Sequence, residues 1–159
     1  LRSKSPEIQE YLAETIIDSD LQSISKIILD FDESYNWMYK LKSSKILDKN
    51  SESLYHVYFI VEMNWPLKNR DLVSDVNILK SNNQITIDLN SKPNYIEKND
   101  KYIRILDTRS VWNLIKISDN KTKVTLQSYA VVEGIPNFIT DLFILESPMH
   151  SLSNLRQKF

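Results

Sequence analysis

Cysteine is absent from the 159 residues, which excludes a disulfide framework, thiolate zinc sites and a cysteine nucleophile. With one glycine the chain cannot build a glycine-rich phosphate loop, and no serine sits in a Gly-x-Ser-x-Gly elbow, so nucleotide chemistry is excluded. Histidine is nearly absent too. His56 and His150 lie far apart, and neither has a second histidine or a carboxylate at ligand spacing on one face, so no metal and no other cofactor is expected. The longest apolar runs, such as Val57 to Val61, fall far short of the ~20 residues of a membrane span. Stable membrane insertion is therefore not expected, although transient contact is compatible with the composition. A charge of one sign is also missing: the formal net charge is −1, so nothing draws the chain to phosphate backbones, and nucleic acid is not an expected partner.

What is present is the composition of a soluble globular protein, with 42% hydrophobic and 26% charged residues. The length suits one core, and without a linker, repeat or low-complexity tract we read residues 1–159 as one domain. The first residue is Leu1, so a removed leader or a short upstream segment is allowed for. A cytoplasmic setting is favoured, and no residue pattern assigns an oligomeric state.

Periodicity gives the elements. Glu10 to Ile17 reads as an opening strand. Ser19 with Gln22 is a capping-box pattern ahead of Leu21, Ile24, Ile27, Ile28 and Phe31, which recur at helical spacing. From Lys42 to Val132 the period changes to two, as in Tyr55/Val57/Phe59/Val61/Met63, Leu72/Ser74/Val76/Ile78 and Ile85/Ile87/Leu89. Polar clusters at 49–51, 81–83 and 119–121 supply turns, giving six or seven antiparallel strands with one covered face. After Gly134-Ile135-Pro136, Phe138, Leu142, Leu145, Met149, Leu152 and Phe159 mark a long amphipathic helix from near Asn137, weakened at Pro148. The fold class is α+β.

A bent sheet gripping one long helix can leave space for an apolar ligand, and a cavity on the order of a few hundred Å³ is expected between them. Its candidate lining is Val57, Phe59 and Val61 on one strand, Ser74, Val76 and Ile78 on the next, and Ile87 on a third. Val111, Asn113 and Ile115 follow on a later strand, with Leu142, Leu145 and Met149 from the helix. Ser74 and Asn113 are the candidate polar handles. No catalytic residue is assigned.

The run Asn64-Trp65-Pro66-Leu67-Lys68-Asn69-Arg70-Asp71-Leu72-Val73 resembles the signature of START (StAR-related lipid transfer) domains, within the helix-grip, Bet v 1-like (SRPBCC) superfamily. Trp37, Tyr102-Ile103-Arg104 before Val111-Trp112, Glu133-Gly134-Ile135-Pro136 and Leu155-Arg156 follow in family order, so the likeness spans nearly the whole chain. The resemblance implies a curved antiparallel sheet wrapped around a C-terminal helix, and a tunnel that binds and carries a lipid, sterol or similar hydrophobic small molecule. Trp65, Pro66, Arg70 and Asp71 are read as structural members of the signature. Some sterol-carrying members place an acid and an arginine in the tunnel where this chain has Val57 and Val76, which implies a more apolar wall here.

Two alternatives stay open. Related helix-grip proteins include aromatase/cyclases and hydratases, and Asp107 and Arg109, on the same strand parity as Asn113, would be the acid–base pair of such an enzyme. In a ligand-sensing interaction module, the polar connection Asn90 to Lys101 would be the lid.

Overall fold

The computed structural model describes residues 9–131, 134–135 and 137–159, with side chains described for 10–131, 134–135 and 146–159. Strand β1 (Gln9–Ile17) leads into helix α1 (Leu21–Leu29) and a 3-10 helix (Phe31–Asn36). Then come β2 (Leu41–Ser51), β3 (Leu54–Val61), β4 (Arg70–Lys80), β5 (Gln84–Ser91), the two-residue β6 (Ile103–Arg104), β7 (Asp107–Ser118), β8 (Lys121–Val131) and α2 (Asn137–Arg156).

The eight strands form one sheet in the order β1-β8-β7-β5-β4-β3-β2. Every pairing along it is antiparallel, and β6 alone adds a parallel pairing, to β4. This curved sheet with its C-terminal helix is the helix-grip arrangement expected from the sequence. The tight turns follow from side chains that mimic backbone: the Ser81 hydroxyl accepts from Gln84 N at 3.1 Å while Ser81 N donates to Gln84 O at 2.8 Å.

The helix start differs from expectation by one residue. Asp20, not Ser19, is the N-cap: its carboxylate accepts from Gln22 N at 2.9 Å and Ser23 N at 3.0 Å. A carboxylate satisfies two orphan amides at once and complements the helix dipole, which a hydroxyl one residue earlier cannot do. The apolar stripe of α1 (Leu21, Ile24, Ile28) is buried among Ile17, Ile85, Ile87, Leu114 and Val124. Each such isoleucine or leucine contributes about 1.5–3 kcal/mol by burial. Phe31 meets Tyr55 and Phe59 edge-on at 6.2 and 6.3 Å, and Trp37 meets Trp112 edge-on at 5.9 Å. The concave face is therefore filled at one end by α1, while α2 packs along β1.

Candidate functional site: a cavity on the concave face

Beyond the plug made by α1, the concave face holds a partly open cavity of about 170 Å³. The sheet supplies Tyr11 from β1, Phe59 and Val61 from β3, Leu72 and Ser74 from β4, and Leu89 from β5. Thr108, Ser110 and Trp112 from β7 and Leu126 from β8 complete that wall. The other wall is Ile28, Phe31, Trp37, Met38, Tyr39, Leu41 and, from α2, Ser147 and Ser151. Among the described residues no charged side chain lines it.

Pairing register explains which residues reach this space. Val61, Phe59, Val57 and Tyr55 lie opposite Arg70, Leu72, Ser74 and Val76, so odd positions of β3 and even positions of β4 share the concave face. Phe59, Val61 and Ser74 line the cavity, three residues that the sequence pattern brings together. Val57, Val76, Ile78 and Ile87 are on the same face but not in the lining; they are packed in the core at 0%, 0%, 4% and 0% exposure. The reason is α1, which occupies their part of the concave face, and this leaves the cavity smaller than expected.

Val111, Asn113 and Ile115 face the opposite side. Trp112 pairs with Ile87 and Leu126, both inward, so the even positions of β7 point to the core and the odd ones to the convex face. Both parities of β7 carry apolar side chains, and the larger, Trp112, takes the core. Asn113 accepts from Gln84 Nε2 at 2.7 Å and from Thr86 Oγ1 at 3.0 Å, entirely on that outer face. Asp107 and Arg109 share it: Asp107 accepts from Tyr129 OH at 3.1 Å, and Arg109 makes a bidentate pair with Asp88 at 2.8 and 3.0 Å.

On α2, Pro148, Ser151, Leu152 and Leu155 are buried at spacings of three and four, which sets the inward stripe. Met149 falls opposite that stripe and is 69% exposed, so it is not a lining residue. The side chains of Leu142 and Leu145 lie outside the described residues.

The signature segment divides. Trp65 is 93% exposed in the loop after β3 and Pro66 is exposed beside it. Arg70 and Asp71 are buried, and Asp71 is held by Arg104 and by the Tyr58 hydroxyl at 3.0 Å. The connection after β5 is not a lid over the cavity. Arg104 donates to Pro93, Ile96 and Glu97 carbonyls, and Tyr95 stacks on His56 at 3.9 Å and donates to Asp48, so the segment is tied to the convex side. The Tyr95 hydroxyl, then His56, holds the Asp48 carboxyl below its ordinary range. His56 is a half-buried member of this stack, with Nδ1 2.8 Å from Asp48 Oδ1.

Apart from Ser74, sequence reasoning missed the polar part of the lining: Tyr11, Tyr39, Thr108, Ser110, Ser147 and Ser151. The signal that finds the β7 pair is their even parity with Trp112 and Leu114. Ser110 Oγ lies 2.6 Å from Ser128 Oγ, and Ser128 is the cross-strand neighbour of Tyr11. Burial pushes the Tyr11 phenol up from its ordinary range, partly offset by the Ser128 hydroxyl, so it stays protonated. No three metal-ligating side chains converge among the described residues, and no helix among them is long and apolar enough to cross a membrane.

No family model and no curated protein sequence matches the chain. Solved structures do. A STAR-related lipid transfer protein fragment from Xanthomonas axonopodis is 23% identical over 99% of this chain and 96% of its own, with a TM-score of 0.83. Human StAR-related lipid transfer protein 5 is 14% identical over 93% of this chain and 74% of its own, with a TM-score of 0.82. The Zhui aromatase/cyclase from Streptomyces sp. R1128 is 8% identical over 96% of this chain and 93% of its own, with a TM-score of 0.72. The chain thus has the helix-grip fold of START domains.

Proposed function

We propose that this chain is a START-type carrier of a hydrophobic small molecule, held between the concave sheet face and α2. The observation that carries the reading is the cavity itself, about 170 Å³ and mainly apolar, in a fold whose solved relatives include lipid transfer proteins. An apolar cavity of about 150 Å³ stays dry and takes up benzene-sized molecules, so this one needs no ionic group to bind. Burying about 300 Å² of apolar ligand surface yields roughly 7 kcal/mol before the cost of association. A lipid chain needs more room than this cavity offers, so loading it requires a wall to move. The cyclase alternative loses its candidate pair, because Asp107 and Arg109 lie on the convex face.

The test uses Nile red, a neutral probe whose emission shifts on leaving water, together with native mass spectrometry of the purified protein. Saturable binding that disappears in a folded Leu72→Trp variant, which fills the cavity, is the expected result. Equal binding by the wild type and the filled variant places the probe elsewhere and overturns the reading.

A further inference from the structure

The cavity is apolar in bulk but not in its hydrogen-bonding account. Two cross-strand rows of hydroxyls run over the concave face. One is Tyr11, Ser128 and Ser110, adjacent through the β1–β8 and β8–β7 ladders. The other holds Thr108, Ser91 and Ser74, where Thr108 N donates to Ser91 Oγ at 3.2 Å and Ser91 pairs with Ser74.

The second row is partly spent. Thr108 Oγ1 donates to Tyr129 O at 2.6 Å and Ser91 Oγ to Leu106 O at 3.2 Å. Ser74, 2% exposed, has its hydroxyl uncommitted among the described residues. The first row cannot close on itself. Three hydroxyls in a chain carry three protons but make at most two mutual bonds, so one O–H, at an end or on Ser128 when both ends donate to it, has no acceptor within the row. Both ends line the cavity. A second donor is surplus: Trp37, which also lines the cavity and is 5% exposed, buries an indole N–H with no acceptor among the described residues. Buried donors left unpaired are costly, and their regular resolution is an acceptor from water or ligand.

We infer that the ligand carries one uncharged oxygen acceptor, a carbonyl, ether or hydroxyl oxygen, which docks at the Tyr11–Ser110 side of the cavity. This rests on the carrier reading above. A carboxylate or phosphate group is a poor occupant, because no cationic side chain lines the cavity among the described residues to offset the loss of its hydration. The rest of the ligand is hydrocarbon, matched by Phe59, Leu72, Leu89 and Leu126.

The experiment is displacement of Nile red by octane, octanol, octanone and octanoate at neutral pH, on the wild type and on Tyr11→Phe, Ser110→Ala and the double variant. These substitutions remove hydroxyls without adding bulk, and circular dichroism checks each fold. The expected result is that the double variant loses about tenfold in affinity for octanol and octanone while octane is unchanged. Octanoate should bind wild type at least tenfold more weakly than octanol. Octanoate binding as tightly as octanol, or variants that weaken octane and octanol equally, overturns the inference while leaving carriage intact. The octanoate comparison needs only the wild type, so an unstable variant does not protect the inference. Should Nile red and octane both fail to bind, the carrier reading fails and this inference falls with it.

Discussion

Arg104 grips Asp71 at two points, Nε to Oδ1 at 2.9 Å and Nη2 to Oδ2 at 2.8 Å, with both side chains buried to within 2%. The remaining guanidinium hydrogens go to three carbonyls of the connection after β5, so one side chain fastens the loop, β6 and the start of β4 together. A lysine has one charge centre and no fork, and cannot reproduce this. Arg104→Lys or Arg104→Met should cost about 3–5 kcal/mol, because the Asp71 carboxylate is left buried without its partner. Urea denaturation measures the loss, and limited proteolysis should show new cleavage between residues 92 and 102. A loss below about 1 kcal/mol would mean that the pair is dispensable.

Tyr58 completes that cluster from β3. Burial first, and then its hydrogen bond to Asp71, pushes the phenol up to about 12. Its folded pKa lies above the ordinary tyrosine value of about 10, so its contribution is intact below that pH and is lost as pH rises through about 12. Stability of the wild type should therefore fall between about pH 10 and 12, and Tyr58→Phe should flatten part of that fall. Urea midpoints across this range decide it; parallel curves for the two proteins would contradict the assignment.

The opposite faces of β7 give a direct contrast. Asp107→Asn, on the convex face, should leave Nile red uptake unchanged, whereas Ser110→Trp, three residues on and facing inward, should reduce it at least tenfold by filling the cavity. On α2 the exposed Met149 should tolerate Met149→Glu, with a stability change within about 0.5 kcal/mol. Uptake lost in Asp107→Asn, with normal folding, would return the acid–base reading to the field.

How much of this was legible in the residues depends on how unequal the two faces of each element are. In β3 and β4 one parity is mostly apolar and the other carries His56, Asp75 and Asn77, so the concave face could be read directly. In β7 Val111, Ile115 and Ile117 rival Trp112 and Leu114, and only pairing with β5 and β8 breaks the tie. On α2 the expected stripe and the buried one share Leu152 and part at Met149, which is exposed while Pro148, Ser151 and Leu155 are buried. The plug is a different failure. That α1 is a helix follows from its spacing and cap, but its place on the concave face, which removes Val57, Val76 and Ile87 from the lining, is a tertiary fact that local pattern does not contain. Ser74 could be read from the parity of β4, but Thr108 and Ser110 escaped notice because hydroxyls have no periodic signal of their own, and only after β7 is phased do they fall on the same wall.

The wall most suited to move is the seam between the segment 37–41 and α2. Among the described residues, side-chain hydrogen bonds and one ring stack join its two sides, in place of the continuous backbone ladders of the sheet. Tyr39 N donates to Ser151 Oγ at 3.1 Å, Asn154 Nδ2 to Trp37 O at 2.9 Å and Tyr39 OH to Glu146 Oε2 at 2.9 Å, while the Tyr39 ring stacks on His150 at 4.7 Å. The hydrogen bond to Glu146, ahead of burial, raises the Tyr39 phenol above its ordinary range, so this bond persists at neutral pH. Tyr39 and Ser151 both line the cavity, so parting them opens it further to solvent without disturbing a strand. Tyr39→Ala removes the stack and the hydroxyl bond but keeps the backbone bond to Ser151, and should speed ligand release about tenfold with little change in sheet stability. Stopped-flow transfer of Nile red to excess phosphatidylcholine vesicles reads the rate. Glu146→Gln should speed it less, because a neutral amide oxygen still accepts from the hydroxyl. A release rate unchanged in Tyr39→Ala and in Ser151→Ala would move the exit away from this seam.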